Sequence, residues 1–175
     1  DYFSNVLTDS TALINGFKGD IAFIPLDRTD DWFPDPQESI VYNLDAKRLH
    51  NVREQKTNAD HPKKGIYRKV CLEGKSYFAV NTKDDEFHIQ GLDEVRAQLS
   101  VPLMYSNETI GALNIYFEDI KPYFHLQKIN SIEYLAKKAV ENYQKKKINQ
   151  NYKNLILPFD VFAGVNAIYK PIQKI

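Results

Sequence analysis

Residues 95–117, VRAQLSVPLMYSNETIGALNIYF, hold two apolar runs on either side of the polar tripeptide Ser106, Asn107 and Glu108. Runs of this length, broken once by turn-forming residues, predict an antiparallel hairpin. Alternation assigns its faces: Ala97, Leu99, Val101 and Leu103 point to one side, and Gln98, Ser100 and Met104 to the other. On the returning strand Asn114 and Tyr116 share a face. Pro102 cannot donate to a ladder, so it belongs at an edge or a bulge. One face of an oily hairpin is therefore polar, and we expect that face to meet a small-molecule pocket. A plainer account stays open, in which Gln98 and Ser100 satisfy the backbone of a covering loop, because buried polar groups usually have structural partners.

Working outward, residues 124–143 carry Phe124, Ile129, Ile132, Leu135, Ala136, Ala139, Val140 and Tyr143 at spacings dominated by three and four, which predicts a long amphipathic helix. Ile148, Tyr152 and Leu155 prolong the stripe, and Pro158 ends it. Upstream of the hairpin, GIYRKVCLEG (65–74) predicts a short helix stopped by Gly74, and SYFAV a short strand. SIVYNLDAKRLHNVREQ (39–55) predicts two strands around the turn Asp45, Ala46 and Lys47, and DIAFIPLD (20–27) another strand. Thr8, Asp9 and Ser10 are N-cap candidates, Gly16 and Gly19 mark a stop, and we expect a first helix over residues 1–17.

A chain of 175 residues suits one domain with flanking helices, and 43% hydrophobic with 26% charged residues is a globular composition. No apolar run is long enough to span a bilayer, and no signal peptide is visible. The first residue is Asp1, from which we expect a piece of a longer protein. A single cysteine, Cys71, gives neither an internal disulfide nor a CxxC pair. A cytoplasmic setting follows as an expectation. Net charge is zero but unevenly spread: residues 1–45 hold nine acids against Lys18 and Arg28, and residues 125–154 hold seven lysines against Glu133 and Glu141. Those lysines are interleaved with polar residues and include no arginine, which fits a solvated helix face better than a nucleic-acid surface.

GIYRKVCLEGKSYFAVNT resembles the segment of GAF domains in which one glycine opens a short helix, a second closes it, and a strand follows. VRAQLSVPLMYSNETIGALNIYF is similar to the GAF signature of Arg, Ser and apolar residues, then Val-Pro-Leu, a turn, and Ile-Gly-X-Leu. Together with the stripe from Ile129 to Tyr143 the resemblance covers residues 64–143. It implies an α+β fold of the PAS and profilin kind, with an antiparallel sheet of about six strands and the N- and C-terminal helices on one face. It also implies a sensory domain over residues 1–157 that binds a small regulator and relays its state through the terminal helices to a larger signal-transduction protein. Residues 158–175 would be a docking tail or the start of a following module. The alternative is a ligand-free dimerisation or interaction module, since fold alone does not fix function.

Residue by residue, the expected ligand layer is Tyr77, Phe78, Asn81 and Phe87 with Arg96, Gln98, Ser100 and Asn114. Arg96 offers a planar two-toothed clamp for a carboxylate or phosphate, or else pairs with Asp93 or Glu94 nearby. The aromatics either wall a pocket or are plain core. The cyclic-nucleotide pattern of the family is broken, because Thr82 follows Asn81 and five residues separate Phe87 from Asp93. The bilin pattern is broken too, because Leu72 and not histidine follows Cys71. The family's methionine sulfoxide reductase works by thiol exchange, which needs a second thiol to resolve the first, so no catalytic activity is expected. His50, His61, His88 and His125 show no metal-ligand spacing, and no cofactor is named by the pattern. We expect a homodimer paired through the terminal helices and held most firmly at Ile132, Leu135 and Val140.

Overall fold

The computed structural model describes residues 2–25, 39–45, 65–89, 92, 94–120 and 126–155. In chain order the elements are α1 (Tyr2–Leu13), β1 (Lys18–Phe23), β2 (Ile40–Tyr42), α2 (Ile66–Glu73), β3 (Tyr77–Ala79), β4 (Ala97–Tyr105), β5 (Glu108–Phe117) and α3 (Leu126–Leu155). The hairpin of β4 and β5 is the centre of a wholly antiparallel sheet with the order β2-β1-β5-β4-β3. Five described strands replace the expected six: residues 46–55, where a second strand was expected after the Asp45 turn, lie outside the described residues.

Ser106 and Asn107 both have positive φ, 48° and 68°, the conformation that lets a two-residue loop follow the right-handed twist of its strands. Pro102 stands opposite Ala112, while β3 pairs only with Gln98, Leu99 and Ser100. Its missing N–H thus falls beyond the last residue that β3 pairs with, and the ladder shifts register between Leu103 and Met104. Gly111 is required where β5 passes β1, since a Cβ there would lie 2.3 Å from the Ala22 carbonyl oxygen.

One face of the sheet carries the main core. Ala97, Leu99, Val101, Leu103, Leu113, Ile115 and Phe117 are buried beside Phe3, Leu7 and Ile14 of the N-terminal segment and Ile132, Ala136, Ala139 and Val140 of α3. Each fully buried Leu, Ile or Val contributes about 1.5–3 kcal/mol relative to exposure. This corrects the expected dimer seam: Ile132 and Val140 are 0% and 1% exposed within their own chain, and Leu135 is half-buried. The lysines of α3 at 137, 138 and 145–147 are exposed, as a solvated face requires.

Three boundaries differ from expectation. α1 ends at Leu13 because Asn15 turns left-handed at φ 56° and the Gly16 N–H returns to the Thr11 carbonyl at 2.8 Å. β1 begins two residues early because Lys18 pairs with Tyr116. α3 begins at Leu126, and Phe124 lies outside the described residues. Gly74 caps α2 as expected, at φ 62° with its N–H on the Val70 carbonyl. The chain divides into two compact units, residues 1–141 and 142–175. The described part of the second unit is the helical run 142–155.

Candidate functional site

The opposite face of the sheet is polar along a single row. Register places Asp20 beside Asn114, Asn114 beside Ser100, and Ser100 beside Tyr77, so that β1, β5, β4 and β3 each contribute one side chain. The neighbouring row brings Tyr116 beside Gln98. Hydrogen bonds join the rows into a ladder with one direction. Gln98 Nε2 donates to Ser100 Oγ at 3.1 Å, and Ser100 Oγ donates to Asn114 Oδ1 at 2.5 Å. Asn114 Nδ2 donates to Asp20 Oδ2 at 3.1 Å, and Tyr116 Oη donates to Asp20 Oδ1 at 2.6 Å. Asp20 accepts on both carboxylate oxygens, and the chain of donors ends there. Asp20, Ser100 and Asn114 are fully buried, and Gln98 and Tyr116 nearly so.

Two apolar clusters flank this ladder. Tyr67, Val70 and Cys71 of α2 cover Ala22 and Ala112 on one side. Leu92 and Val95 pack with Tyr116 on the other, with Phe17 and Leu44 at the margin. Polar side chains between such walls strengthen one another in low dielectric, and each costs dearly if left unmatched. Gln98, 6% exposed, stands at the donor end of the ladder.

The remaining expected residues fall into three places. Tyr77 Oη donates to Asp85 Oδ2 at 2.8 Å, and the Tyr77 ring meets Phe87 edge-on at 5.7 Å. Lys69 Nζ caps this pair, 4.0 Å from the Phe87 ring centre and 5.2 Å from that of Tyr77. Burial, and then the bond to Asp85 and its charge, push the Tyr77 pKa up to about 12. Asn81 braces its own turn, with Nδ2 on Asp84 and Oδ1 accepting the Lys83 N–H. Phe78 corrects the expected layer: it packs edge-on against Phe117 in the main core, on the other face of the sheet from Gln98 and Ser100. Adjacent side chains of this three-residue strand turn to opposite faces of the sheet, although Tyr77 and Phe78 both border a cavity at its edge.

Arg96 stands apart from the ladder. It lines a cavity of about 430 Å³ in the connection between β3 and β4, together with Thr82, Asp85 and His88. Glu94, one of its two expected partners, is ion-paired with Lys18, and Asp93 lies outside the described residues. A second cavity, of about 710 Å³, opens between Tyr77, Pro102 and Met104 and the first turns of α3 at Leu126 and Ile129. No three His, Cys, Asp or Glu side chains converge among the described residues. Sequence reasoning missed Asp20 as a site residue, placing it only at the start of a strand and in the acidic balance. Its signal was an acid between Gly19 and Ile21 in an apolar strand.

No protein-family profile matches the chain, and no curated protein matches it. Solved structures do. The blue-light absorbing form of the Thermosynechococcus elongatus PixJ GAF domain superposes with a TM-score of 0.61 at 13% identity, covering 89% of this chain and 90% of that one. The GAF domain/HD domain protein from Geobacter sulfurreducens gives 0.59 at 16% identity, covering 82% and 92%. The free methionine-R-sulfoxide reductase of Neisseria meningitidis, solved with its substrate, gives 0.55 at 13% identity, covering 83% and 81%. The fold is GAF-like, with a mixed α and β composition and an antiparallel sheet. Among the described residues no helix is long and apolar enough to cross a membrane.

Proposed function

We propose that this domain is a non-catalytic, cytoplasmic sensory module that takes a small molecule against the Gln98, Ser100 and Asn114 face and relays its state through the terminal helices of a larger signal-transduction protein. The observation that carries the proposal is the buried ladder itself. Five polar side chains, one of them a carboxylate, occupy a sheet face that apolar residues would fill at lower cost. The same fold is found in a domain assigned to a two-component sensor histidine kinase, in a blue-light absorbing GAF domain and in a reductase solved with its substrate. Thiol exchange of the reductase kind is disfavoured here, because Cys71 is the only cysteine and is buried.

A thermal-shift screen of amino acids, nucleotides and small anions tests the proposal, since a molecule that binds only the native state raises the melting temperature by mass action. Gln98→Ala and Ser100→Ala should each weaken a bound stabiliser by about 1 kcal/mol, the worth of one neutral hydrogen bond, while the domain stays folded. A second reading, a ligand-free interaction module, is favoured by one feature: the side chains of the ladder bond to one another. If no compound stabilises the domain and Ser100→Ala lowers stability instead, that reading replaces the first.

A further inference from the structure

The cavity beside Arg96 lies outside the ladder, and its charge is of the opposite sign. Arg96 is half-buried and Lys83 exposed, and among the described residues neither side chain makes an ion pair. A guanidinium drawn partly out of water is costly unless something negative meets it. The carboxylate that lines the same cavity is already committed. Asp85 Oδ1 accepts the N–H groups of Phe87 and His88 at 2.9 and 3.1 Å, and Oδ2 accepts the Tyr77 hydroxyl. Its three donors hold it in the loop as a brace, and among the described residues lining the cavity two cations, Lys83 and Arg96, stand against this one carboxylate.

The base of the cavity is rigid. Arg96 N–H donates to the Phe117 carbonyl at 2.8 Å, and the Arg96 carbonyl accepts the Thr82 N–H at 2.9 Å. Buried Thr82 also donates through Oγ1 to the Val95 carbonyl at 2.9 Å. The guanidinium therefore springs from a backbone pinned on both sides. Leu92 and Val95, both buried, supply an apolar wall that lowers the local dielectric and strengthens any ion pair formed against it.

We propose that Arg96 and Lys83 form a binding site for the oxyanion of a small metabolite, a carboxylate or phosphate, which the planar guanidinium grips with two hydrogen bonds while the exposed lysine closes over it. About 430 Å³ admits a small metabolite and not a polymer. The site does not depend on the ladder, whose Gln98, Ser100 and Asn114 do not line it.

NMR titration of the whole chain with inorganic phosphate and, separately, with succinate tests the site, the preferred probe telling phosphate from carboxylate. Saturable shifts should centre on residues 82–96. Arg96→Gln should weaken the better probe by about tenfold or more, Arg96→Lys by less, and Lys83→Gln by a few fold. Near-UV circular dichroism checks that Arg96→Gln folds, and Lys83→Gln removes an exposed side chain that the fold does not need. Three results would overturn the site: no saturable shift in that loop with either probe, an Arg96→Gln variant that folds and titrates like the parent, or shifts that Ser100→Ala abolishes and Arg96→Gln does not. The last would put the anion on the ladder and leave the sensory proposal standing.

Discussion

The Tyr77 hydroxyl donates to Asp85, and burial followed by that carboxylate's bond and charge raises its pKa from 10.0 to about 12. The folded domain thus holds this proton more tightly than the unfolded chain does. The resulting stabilisation is fully present below about pH 10 and is lost as pH rises through about 12. Alkaline melts of the parent and of Tyr77→Phe should converge across that window, and Asp85→Asn should bring the ionisation of Tyr77, followed by its ring resonances, back toward the ordinary range. Ionisation of Tyr77 near pH 10 in the folded parent would mean that the bond to Asp85 is not made in solution. Single residues were legible where a local rule applies. Alternation placed Gln98 with Ser100 on one strand and Asn114 with Tyr116 on the other, and hydrogen bonds join these four through Asp20. Asp20 was not legible, because its donors Asn114 and Tyr116 lie 94 and 96 residues away and no local spacing announces them. Arg96 and Phe78 were assigned to the ligand layer with the others. One borders a separate cavity, and the other belongs to the main core.

Elements were legible where chain chemistry itself sets the limit. The turn at Ser106 and Asn107, the stop at Gly74 and the place of Pro102 beyond the last residue paired with β3 all follow from backbone rules. Ser106 takes a left-handed φ of 48° without the local side-chain bonding that makes asparagine tolerant there. Ser106→Asn should therefore stabilise the hairpin by about 0.5–1 kcal/mol, and Gly74→Ala, which puts a Cβ on a residue at φ 62°, should cost about 1 kcal/mol. Urea melts of both variants check the pair of signs. A neutral Ser106→Asn with an unchanged denaturant slope would show that the turn relaxes in solution. Boundaries set by distant pairing were not legible: β1 starts where Tyr116 offers a partner to Lys18, and β3 is confined to the three residues that β4 receives.

At the scale of the whole molecule, the apolar stripe of α3 has to be divided between uses. Its inner residues, Ile132, Ala136, Ala139 and Val140, are consumed by the sheet of their own chain and leave nothing for a second copy. Of the thirty residues of α3, 126–141 belong to the first compact unit and 142–155 to the second. A homodimer through this helix would have to use what is left outside the core: Tyr134, 59% exposed, in the first unit, or Ile148, 45% exposed, in the second. Lys145, Lys146 and Lys147 are exposed on the same helix and would repel their counterparts across a parallel pair, so added salt should tighten the association. Light scattering over a wide concentration range should then give twice the 20.3 kDa chain mass, more completely at high salt. Tyr134→Asp and Ile148→Asp should each return the chain to single mass without lowering its melting temperature, because neither side chain belongs to the core. A mass of 20.3 kDa throughout, in parent and variants alike, would leave a monomer and remove the helix pair as the route by which a bound molecule could reach an output domain.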